Sequence, residues 1–242
     1  MTEEEISPKN LLLGILDELE DPMCQMIADN VPAYEEIRDW VVDLKSVIDI
    51  VKKREGTYQK IMPFEEVNKW FSEYGCTVCY LGENGAKLTD CRRQESSGTH
   101  VTISKTTCIE AGGNPIGSYH THPFMLPLPS AADINNQLRG ESIVDFIGGK
   151  VGDRDVIVGY GSFDSSLVKY KMEQKIDPYP GDIWEGAKGA VCMWKVPSDS
   201  QGANVSAHVG VIPVYDDATQ RRQFYKQIEY LKRSFSIVVQ WC

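Results

Sequence analysis

The sequence has no run of about 18 apolar residues, so it holds no segment that would cross a membrane as a helix. Basic residues are in deficit, with 25 Lys and Arg against 35 Asp and Glu, for a net charge of −10. No basic stripe gathers them, which argues against nucleic acid as a partner, because phosphate binding needs clustered Lys and Arg. The opening MTEEEISPKN lacks a basic region before an apolar core, the mark of a secretory signal, and predicts a cytoplasmic protein. Cys76 and Cys79 form a CxxC, but no second such pair exists to complete a four-cysteine zinc site. The seven cysteines (24, 76, 79, 91, 108, 192 and 242) are odd in number and scattered, and most read as small buried apolar side chains in a reducing compartment. GGKVGDRD matches neither a Walker loop nor a dinucleotide fingerprint, and no internal repeat or low-complexity tract is present.

The remaining pattern is that of a mixed α+β protein, helical at first and then β-rich. Ser7-Pro8 predicts a helix start, and Asp21-Pro22 its end. From Pro32 the apolar residues Ile37, Trp40, Val41, Leu44, Val47, Ile48 and Val51 recur at steps of three and four, predicting one long amphipathic helix that closes at Gly56. PFEEVNKWFSEYG predicts a short helix. CTVCYLG and KLTDCRR, joined by ENGA, predict a hairpin. HVTIS and IGSYHTH predict strands, and SAADINNQLRG a helix. DVIVGYG and SLVKYKM predict a second hairpin. AVCMWKV and SAHVGVIPVY predict strands, DDATQRRQFYKQIEYLKR a helix and SFSIVVQW a last strand, a β-β-α-β extension. This divides the chain into an N-terminal helical segment 1–58, a central domain 59–178 and a C-terminal part 179–242.

Histidine is scarce, and two of only four stand one residue apart in GSYHTHPFMLPLPSAAD. In a strand, His120 and His122 project from one face roughly 6.5–7 Å apart, close enough for both imidazoles to reach one ion. The prolines then stiffen a bend, and Ser130-Ala131-Ala132-Asp133 opens a helix from which Asp133 turns back toward the strand end. Two imidazoles and one carboxylate leave a fourth tetrahedral position for water, the layout of a catalytic zinc site. The same S-x-x-D is also a capping-box variant that accounts for Ser130 and Asp133 without a metal. His100 and His208 show no ligand spacing. Trp184 and Trp194 read as packing, and Arg221-Arg222 as a solvated helix face.

The run H-x-H-P, a short spacer, then S-x-x-D resembles the signature of the JAMM (MPN+) zinc metalloprotease superfamily, over roughly residues 60–175. The resemblance implies a JAMM/MPN-like, cytidine-deaminase-like mixed β-sheet with flanking helices. It implies Zn²⁺ bound by His120, His122 and Asp133, with Ser130 steadying the oxyanion or its water. It also implies an upstream glutamate as general base. Glu73 is preferred, since SEYGCTVCYLG is similar to the family's E-x-G-apolar segment; Glu66, Glu83, Glu95 and Glu110 are the alternatives. The implied activity is hydrolysis of a peptide or isopeptide bond in a protein substrate, a ubiquitin-like conjugate being the family's type, with an activating protein partner or a homodimer. The alternative is a catalytically inactive MPN-type scaffold. The segments flanking the motif are then the places for docking surfaces.

Overall fold

The computed structural model of the chain describes residues 7–53, 61–93, 103–123, 125–139, 142–161, 186–195 and 208–242. In chain order the helices are α1 (Pro8–Asn30), α2 (Tyr34–Ile37), α3 (Leu44–Lys53), α4 (Phe64–Phe71), α5 (Thr106–Glu110), α6 (Ala131–Leu138) and α7 (Asp217–Leu231). The strands are β1 (Val41–Val42), β2 (Ile61–Met62), β3 (Tyr74–Tyr80), β4 (Ala86–Arg93), β5 (Asn114–His122), β6 (Val144–Val151), β7 (Arg154–Gly161), β8 (Gly189–Lys195), β9 (His208–Val214) and β10 (Ser236–Trp241). The protein is mixed α+β, as its sequence predicts.

Six strands form the principal sheet, in the order β10-β7-β6-β5-β3-β4. Only β5 and β6 run parallel; every other pairing in this sheet is antiparallel. A parallel pair needs a crossover, and α6 lies within it. Alternation of side chains makes both sheet faces apolar. Tyr119, Val144, Phe146 and Ile157 face α1, whose Leu12, Ile15, Leu16, Leu19, Met23 and Ile27 lie over them. Ile147, Val156, Val158 and Tyr160 face the other way, against Ile134 of α6 and Phe224, Ile228 and Leu231 of α7. The result is helix, sheet, helix. The Tyr119 hydroxyl donates to the Met23 carbonyl at 2.8 Å, fastening α1 to the strand that carries both central histidines.

A smaller sheet has β8 paired to β1 antiparallel, to β2 parallel and to β9 antiparallel. Met125, from the bend after the histidines, packs against its core of Ile37, Met62, Val67, Val191, Met193 and Ile212. The expected segments therefore share structure: 1–58 and 179–242 supply α1, α7 and β10 to the layers of the principal sheet, and β1, β8 and β9 to the smaller one.

Several expectations require correction. The first helix does not stop at Pro22 but runs to Asn30. A proline inside a helix costs about 3 kcal/mol, but here the buried stripe continues through Met23 and Ile27 and outweighs it. The long helix expected from Pro32 is broken: a 3-10 turn at Arg38–Trp40 leads to Val41–Val42, which pair with Val191 and Ala190. The second piece restarts because the Asp43 carboxylate accepts from the Lys45 and Ser46 amides. Its closure near Gly56 lies outside the described residues, as do SLVKYKM, Trp184 and most of HVTIS, including His100. The strand β6 was not foreseen at all, since two glycines and a lysine interrupt its apolar run.

The cysteines overturn the reading of them as free apolar side chains. Cys24 is bonded to Cys242, Cys76 to Cys91 and Cys79 to Cys108; Cys192 alone is free, and it is buried. Connectivity of this kind comes from strand pairing and chain ends meeting, which spacing does not encode. The cytoplasmic expectation thereby loses its cysteine argument, because disulfides persist mainly in oxidising surroundings. No helix among the described residues is long and apolar enough to cross a membrane.

The Cys24–Cys242 bridge spans 218 residues and joins α1 to the end of β10. Changing both to serine should lower unfolding stability by about 2–5 kcal/mol, read by urea denaturation. An unchanged midpoint would show that the bridge constrains nothing in the unfolded chain.

Candidate metal centre

The crossover between the two parallel strands builds the site. His120 and His122 end β5, on the face away from α1, and α6 begins just beyond the bend. His120 is 6% and His122 4% exposed, an unusual burial for two imidazoles and one that calls for polar partners. Their Nε2 atoms lie 3.1 Å apart. Asp133 Oδ1 stands 3.7 Å from His120 Nε2, and Oδ2 stands 4.0 Å from His122 Nε2. All three ligand atoms fall within 4.8 Å of one another, the only such grouping among the described residues.

The structure shows the capping reading of S-x-x-D, in a geometry that leaves the Asp133 carboxylate compatible with a ligand role. Ser130 is the N-cap of α6: its Oγ accepts from the Asp133 amide at 3.2 Å, and its own amide donates to Asp133 Oδ2 at 2.7 Å. The reciprocal cap is what turns the Asp133 carboxylate back toward the strand end. It uses Oδ2, which stays 4.0 Å from His122, and directs Oδ1 at His120.

The donor set fits a divalent ion. His122 Nδ1 lies 3.2 Å from the Leu126 carbonyl, an acceptor that fixes the proton on Nδ1 and presents Nε2 as a lone pair. At 3.1 Å the two Nε2 atoms need a proton or a cation between them. Zn–N bonds of about 2.0–2.1 Å at a near-tetrahedral angle separate two nitrogens by roughly 3.3 Å. The observed spacing is close to that, and the nitrogen and oxygen ligand types suit zinc.

Burial alone would push the Asp133 carboxyl up, but the His120 and His122 imidazoles and the Ser130 hydrogen bonds outweigh it and hold it below the usual carboxylate range. The group is thus arranged to keep a carboxylate ionised beside two imidazoles.

A cavity of about 390 Å³ opens beside His120 and Asp133, with Glu73, Thr77, Lys105 and Ser118 also in its wall. Glu73 is 4% exposed and immediately precedes β3, where Gly75 pairs with His120. Of the alternative glutamates, Glu66 accepts from the Trp70 indole at 2.6 Å, Glu83 lies exposed in a 3-10 turn, and Glu95 falls outside the described residues. Glu110 was expected at a strand end; it closes the short helix α5 instead and is exposed. Among the described glutamates of this set, the cavity wall contains Glu73 alone. His208 lies on β9.

Sequence reasoning missed Asp145. It lies on β6 opposite Ser118, two residues before His120, and its carboxylate accepts from the Ser118 amide (2.9 Å), the Ser118 hydroxyl (2.7 Å) and the Ser142 hydroxyl. The one available signal was a lone aspartate within SIVDFIGG. Burial pushes its carboxyl up from the usual range, only partly offset by the Ser118 and Ser142 hydrogen bonds.

No protein-family model matches the chain, and no curated protein matches it.

Because the folded value for Asp145 is raised, the folded state holds this proton more tightly than the unfolded chain does. Its contribution to stability is full below the unfolded value of 3.8 and declines as pH rises toward the folded value. In Asp145→Asn, urea unfolding at intervals between about pH 4 and 7 should show a shallower loss of stability than the parent. A steeper loss would reverse the sign of this contribution.

Proposed function

We propose that the chain is a zinc-dependent hydrolase of amide bonds, a JAMM-type peptidase or isopeptidase acting on a protein substrate. The observation that supports this most is the convergence of two buried imidazoles and a capped carboxylate beside a cavity that Glu73 also lines. The motif order H-x-H-P then S-x-x-D, with α6 opening directly after β5, accords with it. Substrates of the ubiquitin-like class follow from the resemblance alone.

His120, His122 and Asp133 would hold the ion. Zinc in such a setting supplies a Lewis acid and lowers the pKa of a water toward 7. The chain's own residues do the rest. Glu73, shielded from bulk solvent at the cavity wall, accepts a proton from the attacking water and passes it to the departing amine nitrogen. Ser130 accepts at its Oγ from Asp133 and retains its O–H to give, so it donates to the oxygen on which charge develops. The cap that binds Ser130 to Asp133 keeps donor and ligand in fixed relation. The Leu126 carbonyl holds the His122 ring in its working tautomer.

Metal analysis and peptide-bond hydrolysis, measured on the same preparations, separate these roles. His122→Ala should lose bound zinc and all hydrolysis, and Asp133→Asn should lose most of its zinc. Glu73→Gln should keep stoichiometric zinc while its rate falls roughly 10²–10⁴-fold, the range for loss of a general base. A parent chain that purifies without zinc and is indifferent to chelator would leave a scaffold in place of an enzyme.

A further inference from the structure

Strand β3 carries a second concentration of chemistry. Cys76 and Cys79 lie three residues apart on it, yet each is bonded to a different element, Cys76 to Cys91 of β4 and Cys79 to Cys108 of α5. Both bridges sit where the strand pairing slips. Between β3 and β4 the register passes from Gly75↔Arg92 to Thr77↔Thr89, so Cys76 alone faces Asp90 and Cys91. Between β3 and β5 it passes from Val78↔Gly117 to Cys79↔Pro115, which leaves Ile116 as the extra residue. These are β-bulges, one on each side of the same strand, and each has a disulfide at its slip.

The surroundings are shaped around the bridges. Asp90, the bulged residue, has φ 53°, a left-handed conformation uncommon for a residue with a side chain. Its carboxylate accepts from the Thr107 amide and, at 2.6 Å, from the Thr107 hydroxyl, tying the bulge to α5. At Gly113 an added methyl would lie 2.5 Å from Cys79 Sγ and 3.2 Å from Cys108 Sγ, so the turn into β5 leaves room for the sulfurs and little else.

Register matters here because a slip of one residue sends every side chain to the opposite face. Glu73 enters the cavity, and Gly75 stands opposite His120, only in the observed alignment.

We propose that the Cys76–Cys91 and Cys79–Cys108 bridges are a thiol-redox control on this site: closed, they hold the two bulges that set the register of β3 and keep Glu73 at the cavity; opened, they release it. Its bearing on catalysis rests on the function proposed above. Each bridge forms when two thiols give up two electrons and two protons to a small disulfide of the oxidised-glutathione kind, which leaves as two thiols. A dithiol reverses the exchange. Cys91 is half-buried, whereas Cys76, Cys79 and Cys108 are wholly buried, so exchange begins at Cys91.

The test uses the full chain, thiol-blocked without reductant and mapped by mass spectrometry, then compared oxidised and dithiol-treated. Linked peptides 76–91 and 79–108 are expected; free thiols at Cys76 and Cys79 would overturn the proposal. On reduction, amide hydrogen exchange at residues 75–80 should accelerate at least tenfold more than at β7, whose own change reports the global loss from opening the terminal bridge. Hydrolysis should fall at least tenfold with cobalt(II) binding retained, and oxidised glutathione should restore it. Equal exchange in the two states sinks the idea. Cys91→Ser should reproduce part of this selective acceleration, whereas Cys24→Ser, which opens only the terminal bridge, should speed β7 at least as much as residues 75–80; the same selectivity in both variants would overturn the assignment. If the oxidised chain binds no cobalt(II), the metal reading fails by itself, and the exchange comparison alone decides whether the bridges govern register.

Discussion

The parallel pairing of β5 with β6 is the constraint on which the centre depends. Parallel neighbours cannot be joined by a tight turn, so the chain must leave the sheet at His122 and re-enter at Val144. The helix in that excursion begins close to where the strand ended. An N-terminus there puts a capping serine and its reciprocal aspartate directly above two outward imidazoles. Reversing the pairing would carry α6 away and leave the histidines as buried rings without a carboxylate.

That arrangement removes the competition between cap and ligand. A capping box uses one carboxylate oxygen for the N-cap amide, and the remaining oxygen is held in a fixed direction. At Asp133 that direction is toward His120. A helix end is usually stabilised for its own sake; here the same two hydrogen bonds also aim a carboxylate oxygen at an imidazole. Asp145 performs a related task one strand away, where three hydrogen bonds to its buried carboxylate hold the backbone of β5 at Ser118, within a turn of the pleat from His120.

Much of the centre was legible because its parts are local in sequence. His-x-His, the prolines and Ser-x-x-Asp fall within 17 residues, and alternation plus a helix cap suffice to bring them together. Glu73 was less legible, because its place at the cavity depends on strand register, and register here is altered by bulges that leave no simple pattern. Asp145 was invisible, since its role exists only once β6 lies beside β5. The disulfides failed for the same reason on a larger scale: Cys24 and Cys242 meet only after the whole sheet has formed. Helix ends misread from single residues, at Pro22 and through Val41–Val42, show tertiary burial and sheet pairing overriding local preference.

Tyr119 and His120 share one peptide unit but look to opposite faces of the sheet, the phenol bound to the backbone of α1 and the imidazole turned to the ligand group. Burial also drives the Tyr119 hydroxyl toward its protonated form, with the nearby Asp155 charge adding to it, so this donor is present at any ordinary pH. A displacement of the outer helix along its axis is thus delivered, through a single short linkage, to the backbone beneath the imidazole pair. The stiffness of the ligand group is borrowed from a helix on the far side of the molecule.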